Sequence, residues 1–129
     1  MFDDIKSFHQ KYSLDYDGPP RELPVELQRL RRNRLWEELT EYMNADTLED
    51  QFDALIDLVY IALGTAYLNG FDFPEGWRRV HEANMKKIRA ERPDQSRHGS
   101  TFDIVKPAGW TPPDLSDLVG VDSGAVLDR

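Results

Sequence analysis

The chain has 129 residues, 40% of them hydrophobic and 31% charged, the balance of one water-soluble domain whose core would benefit from association. It contains no cysteine, which excludes disulfides, zinc thiolate sites and cysteine nucleophiles and leaves metal chemistry to oxygen ligands. A net charge of -8 argues against a sequence-independent grip on nucleic acid, because such a grip needs Lys and Arg to neutralise phosphates.

Along the chain, Phe2, Ile5, Phe8 and Tyr12 recur at helical spacing and predict a short amphipathic helix from residue 2 to about 13, broken by Asp17-Gly18-Pro19-Pro20. The acidic start, Met1-Phe2-Asp3-Asp4, is unlike a secretory signal, so a cytoplasmic location is expected. A second helix is predicted from near Pro24, a favoured first-turn residue, to about Asn44, with Leu27, Leu30, Leu35, Leu39 and Tyr42 on its apolar side. Arg29, Arg31, Arg32 and Arg34 crowd this helix just before Glu37, Glu38 and Glu41. Thr47, with Asp50 three residues later, resembles a capping box and opens a third helix. That helix runs through the most apolar stretch, Ala54 to Leu63, to about Asn69, where Gly70 can end it in the left-handed conformation. Gly64 within it would permit close approach of another helix. The apolar stretch is too short to span a bilayer and is interrupted by Asp57, so no membrane segment is expected.

A fourth helix is predicted from Glu75 to about Ala90, with Trp77, Val80, Ala83, Met85 and Ile88 as its less polar positions, ending before Pro93. Residues 94 to 129 lack sustained periodicity and read as an extended arm, ordered in part at 101 to 105 and 107 to 118, with mobile final residues. The fold class is therefore all-α and four-helix bundle-like: residues 1 to 93 form the helical domain, and the C-terminal arm, residues 94 to 129, belongs to it.

Asp57 is the residue that demands explanation. A helix apolar nearly all round must be buried, and an ionised carboxylate there needs an Arg or Lys, a proton or a bound cation. Glu38 and Glu41 share a face of the second helix, with Glu37 beside them, while Asp50, Asp53 and Asp57 form one stripe on the third. A short connection makes the two helices antiparallel, so the stripes can face each other. Each alone is the commonplace of a solvated acidic face, and a salt bridge from Asp57 to a helix-two arginine is the rival for that residue. Together, carboxylates without His or Cys favour Mg²⁺ or Mn²⁺, and Mg²⁺ usually shares its coordination with substrate phosphates.

Four segments, Glu37 to Glu41, Asp53 to Tyr60, Ala62 to Ala66 and Val80-His81-Glu82-Ala83-Asn84-Met85-Lys86-Lys87, resemble the all-α nucleotide pyrophosphohydrolases. This is the MazG-like and phosphoribosyl-ATP pyrophosphohydrolase-like superfamily, especially its small single-domain bacterial and phage members. The likeness extends from Phe8 through the arm segment Lys106-Pro107-Ala108-Gly109-Trp110-Thr111-Pro112-Pro113-Asp114-Leu115. The resemblance implies that ExxE on one helix and ExxD on the next hold Mg²⁺, which maps onto Glu38, Glu41 and Asp57. Ala54 stands where the pattern has Glu, with Asp53 as the substitute. It also implies that Asn84 and Lys87 contact phosphates, as in the family's SNMxK stretch, although Ala83 replaces the Ser.

Lys106 in the arm joins them as a weaker phosphate ligand. Trp36, Tyr60 and Trp110 are candidates for core packing or for a wall against which a base stacks. The implied reaction is hydrolysis of a nucleoside triphosphate, preferably a deoxynucleotide, to monophosphate and pyrophosphate, with Glu38 or Glu37 accepting the water's proton. A homodimer or homotetramer is implied as well. The rivals are another pyrophosphate-linked nucleotide, phosphoribosyl-ATP or an alarmone, and a non-catalytic helical binding module.

Overall fold

The structure is a computed structural model and describes residues 1 to 120, so the end of the arm and the mobility expected of it lie outside the described residues. Among the described residues, four α-helices, one two-stranded ribbon and two short 3-10 turns make up the fold. Main-chain packing divides it into a first unit, Met1–Phe73 with Leu118–Gly120, and a second, Pro74–Asp117.

In the first unit, α1 spans Phe2–Lys11. It stops slightly short of the expected end because Ser13 turns left-handed at φ 58°. The N–H groups of Ser13 and Leu14 then reach back to the carbonyls of Gln10 and His9, closing the last helical turn. Helix α2 spans Val25–Asn44, directly after Pro24. Helix α3 spans Leu48–Leu68, and Thr47 Oγ1 accepts the Asp50 N–H at 3.1 Å as the cap expected of it. Its far end closes at Gly70, φ 74°, with the Phe71 N–H on the Ala66 carbonyl.

The core joins Ile5 of α1, Leu23 of the following loop, and Leu63, Tyr67 and Leu68 of α3, with Phe2, Tyr16, Leu27, Tyr60 and Phe73 packed around them. His9 is buried with them, its ring 4.9 Å from that of Tyr67 and its Nδ1 2.8 Å from the Ile5 carbonyl oxygen. Gly64 leaves room for side chains rather than for a helix backbone. A Cβ there would lie 2.6 Å from a guanidinium nitrogen of Arg31 and 3.2 Å from His9. Arg31 uses that space to donate to the Ile61 carbonyl at 2.9 Å and to Thr65 Oγ1 at 3.0 Å, fastening α2 to α3.

Two expectations about these helices are corrected. The apolar side predicted for α2 is largely open, with Leu30, Leu39 and Tyr42 all exposed, and the one buried residue of the helix is Glu38. Nor is α3 buried all round: Phe52 is 66% exposed, and Leu55, Ile56 and Val59 are nearly half exposed beside a cavity of about 380 Å³. Burial follows the faces that meet α1 and α2, so hydrophobic content alone overstates it. At 21 residues, α3 is also longer than the apolar run, and by length and mean hydropathy it could cross a membrane.

Helix α4 spans Phe73–Asn84, all but its first residue in the second unit, so it ends well before the predicted Ala90. Met85, Lys86 and Lys87 unwind through turn hydrogen bonds, and Ile88–Arg89 form β1, paired antiparallel with β2, Ile104–Val105. The arm supplies a ladder partner that a helix could not use, and Ile88, β-branched, suits a strand. Trp110 closes the turn Pro107 to Trp110, in which Gly109 sits at φ 80°. Its indole N–H donates at 2.7 Å to the Ala83 carbonyl, which also accepts the Lys86 N–H at 3.1 Å, so the arm is tied to the last turn of α4.

Candidate metal centre

Glu38 and Glu41 stand one turn apart on α2, and Asp57 faces them from α3. Each contributes a carboxylate oxygen to a group whose members all lie within 4.8 Å of one another. Glu38 is buried, Asp57 half-buried and Glu41 exposed, so the cluster opens to solvent on the Glu41 side. Burial raises the pKa of Glu38 above the usual carboxylate range, and the neighbouring Glu41 and Asp57 raise it further. Asp57 is raised by its own burial, then by Asp53 and Glu41. Arg34, one turn before Glu38, pulls both in the opposite direction.

Glu38 Oε2 tests whether these residues fit a cation. It is buried and has no hydrogen-bond partner, a state that costs about 1 to 3 kcal/mol when unrelieved. A cation bound by three carboxylates would relieve both the orphan oxygen and the mutual repulsion, and the all-oxygen donor set suits a hard divalent ion. The residues present fit such an ion.

The other sequence-selected residues take different places. Asp53 is exposed and outside the converging group, though its charge reaches Asp57. Ala54, where the family pattern has Glu, is 2% exposed and fills the core. Glu37 is exposed, its carboxylate 3.8 Å from Arg34. Asn84, Lys87 and Lys106 belong to the second unit, where the Lys87 and Lys106 ammonium groups lie 4.9 and 5.2 Å from the Trp110 ring. Trp36 is 69% exposed, whereas Tyr60 packs against the core.

Sequence reasoning left one feature undecided and missed another. It named the helix-two arginines as rival partners without choosing among them, and Arg34 is the countercharge of the cluster, a role signalled by its i,i+4 spacing to Glu38. Arg79 bridges Glu75, four residues before it on α4, and Asp117 of the arm, and the contact with Asp117 that clamps the arm to α4 has no local signal.

A mostly helical chain that draws three carboxylates from two neighbouring helices is consistent with a helical MazG-like domain. The phosphoribosyl-ATP pyrophosphohydrolase family profile matches residues 5–84, and the chain belongs to that family. It is accordingly a nucleotide pyrophosphohydrolase, an enzyme of a family whose members usually use divalent metal ions. No curated protein matches the chain.

Proposed function

We propose that the chain hydrolyses a nucleoside triphosphate, preferably a deoxynucleotide, to the monophosphate and pyrophosphate. The observation that carries this reading is the convergence of Glu38, Glu41 and Asp57 around an unpaired carboxylate oxygen in a pyrophosphohydrolase fold. Glu38, Glu41 and Asp57 would hold Mg²⁺ or Mn²⁺, with Asp53 adding charge behind Asp57. When bound, the ion supplies Lewis-acid charge to a phosphoryl oxygen and to the attacking water.

Glu37, outside the converging group, is the carboxylate left to accept the water's proton, with Glu38 the alternative. Water attacks the α-phosphorus, the bond from that phosphorus to the bridging oxygen breaks, and pyrophosphate leaves with the electron pair. Asn84, Lys87 and Lys106 bind phosphate oxygens. The two ammonium groups around one indole favour an anion that satisfies both.

Association into a homodimer or homotetramer belongs to the same reading. The open apolar face of Phe52, Leu55, Ile56 and Val59 supports it, because such a patch is removed from water when copies pack. Light scattering of the purified protein tests that part.

The test of the reaction is a panel of ribo- and deoxynucleoside triphosphates with Mg²⁺, separating monophosphate plus pyrophosphate from diphosphate plus phosphate. Release of orthophosphate alone would overturn attack at the α-phosphorus. A second reading, favoured by the family match, takes phosphoribosyl-ATP as substrate, and including that compound in the panel decides between them.

A further inference from the structure

We infer that Arg34 is the resident countercharge of the acidic cluster, and that it yields Glu38 to an arriving divalent cation and turns its guanidinium to the substrate's phosphate oxygens. The inference rests on the cluster being a cation site. Arg34, Glu38 and Glu41 occupy positions i, i+4 and i+7 of α2 and so share one face, with Asp57 across from them. Of the arginines crowded on this helix, Arg31 is committed to Ile61 and Thr65 and holds the helices together. Arg34 is the one whose charge acts on both Glu38 and Asp57.

Its hold on the carboxylates is loose. Arg34 Nη2 lies 3.6 Å from Glu38 Oε1 and Nε lies 3.8 Å from Glu37 Oε2, both beyond hydrogen-bond length. The side chain is 47% exposed, so the attraction is screened and no directional bond must break for it to move. Arg31 lies close enough for the two positive charges to repel, which further favours departure. A cation that takes over Glu38 leaves a planar fork of donors at the rim of the cluster, held only by the exposed Glu37 at 3.8 Å. A polyphosphate oxygen pair matches that fork in charge and geometry.

The two halves of this role predict changes of opposite sign. Calorimetric titration with Mn²⁺ should show Arg34→Met binding the ion about fivefold or more tightly than the unaltered chain, because a competing positive charge is gone. At saturating Mn²⁺, the same variant should bind inorganic tripolyphosphate several-fold more weakly, and Arg34→Lys should recover part of that loss.

Arg31→Met serves as the structural control: it should lower the melting temperature while leaving Mn²⁺ affinity within about twofold, a factor worth ~0.4 kcal/mol. If Arg34→Met binds Mn²⁺ equally or more weakly, or keeps full tripolyphosphate affinity, the Arg34 role is wrong while the cation site stands. If the unaltered chain binds no Mn²⁺, the cation site falls, and the Arg34 role falls with it.

Discussion

The two units of the molecule place charged side chains by different physical means. In the first, rigid helices set the carboxylates: one turn separates Glu38 from Glu41, and the antiparallel run of α3 brings Asp57 opposite. In the second, Lys87 lies past the end of α4 and Lys106 just after β2, and a shared indole gathers them. The acidic group concentrates like charge in a partly buried place and stores repulsion that a cation can release. The basic group stays close to solvent, where two ammonium charges around Trp110 cost little. Binding energy should therefore reside mainly in the carboxylates, and adjustable recognition in the lysines.

The largest effect that could break this comparison is at Asp57. Asp57→Asn should reduce turnover at least about a hundredfold, ~2.7 kcal/mol of barrier, with helical circular dichroism unchanged. Activity within about tenfold of the unaltered chain, ~1.4 kcal/mol, would remove Asp57 from the principal ligands. Glu38→Gln should lose turnover comparably yet stabilise the metal-free chain by about 1 kcal/mol, since it discharges a buried carboxylate whose Oε2 has no hydrogen-bond partner and whose only countercharge is the loosely held Arg34. Urea unfolding measures that gain, and a loss of stability would mean that repulsion is not stored there.

Trp110→Phe tests the other region. It removes the indole bond to the Ala83 carbonyl and should destabilise the chain by about 1 kcal/mol while leaving Mn²⁺ affinity unchanged. A change in Mn²⁺ affinity would show that the two groups are not energetically separate.

The pH dependence sharpens the same contrast. Glu38 and Asp57 have raised folded-state pKa values, so their contribution to stability is complete below the ordinary carboxylate range and is lost as pH rises through the raised values. Divalent cations compete with those protons, so stabilisation by Mg²⁺ should grow over the same interval. Melting curves across a pH series, with and without Mg²⁺, should diverge upward from the carboxylate range, and Glu38→Gln should reduce the divergence.

Glu75 behaves oppositely. Its hydrogen bonds to Arg78 and Arg79 hold its pKa down to about 2, so its contribution is present above the ordinary value of 4.5 and is lost as pH falls towards 2. Glu75 and Arg79 keep partial contact with solvent and Arg78 is exposed, so the pairs are screened and Glu75→Gln should give the smallest melting shift of the series at neutral pH.

The difference between the units also explains what could be read in the chain. Helical spacing exposed the carboxylates because residues three and four apart must share a face, and it fixed α2 and α3 closely because Pro24, Thr47 and Gly70 mark their ends chemically. It failed past Asn84. The periodic Met85 and Ile88 look helical, but the pairing of Ile88–Arg89 with Ile104–Val105 is made by residues remote in sequence. It also overstated the burial of α3, since composition reports how apolar a helix is and not how many neighbours cover it.

Residue order by itself determined the four helices, the all-oxygen donor set and the candidacy of Asp57, because each depends on local periodicity or on which side chains exist. Only the tertiary structure decided that Glu38 is buried with an unpaired oxygen, that Asp53 stands outside the converging group and that Arg34 balances it. Those outcomes depend on the rotation of two helices about their axes, and packing between remote residues sets that rotation.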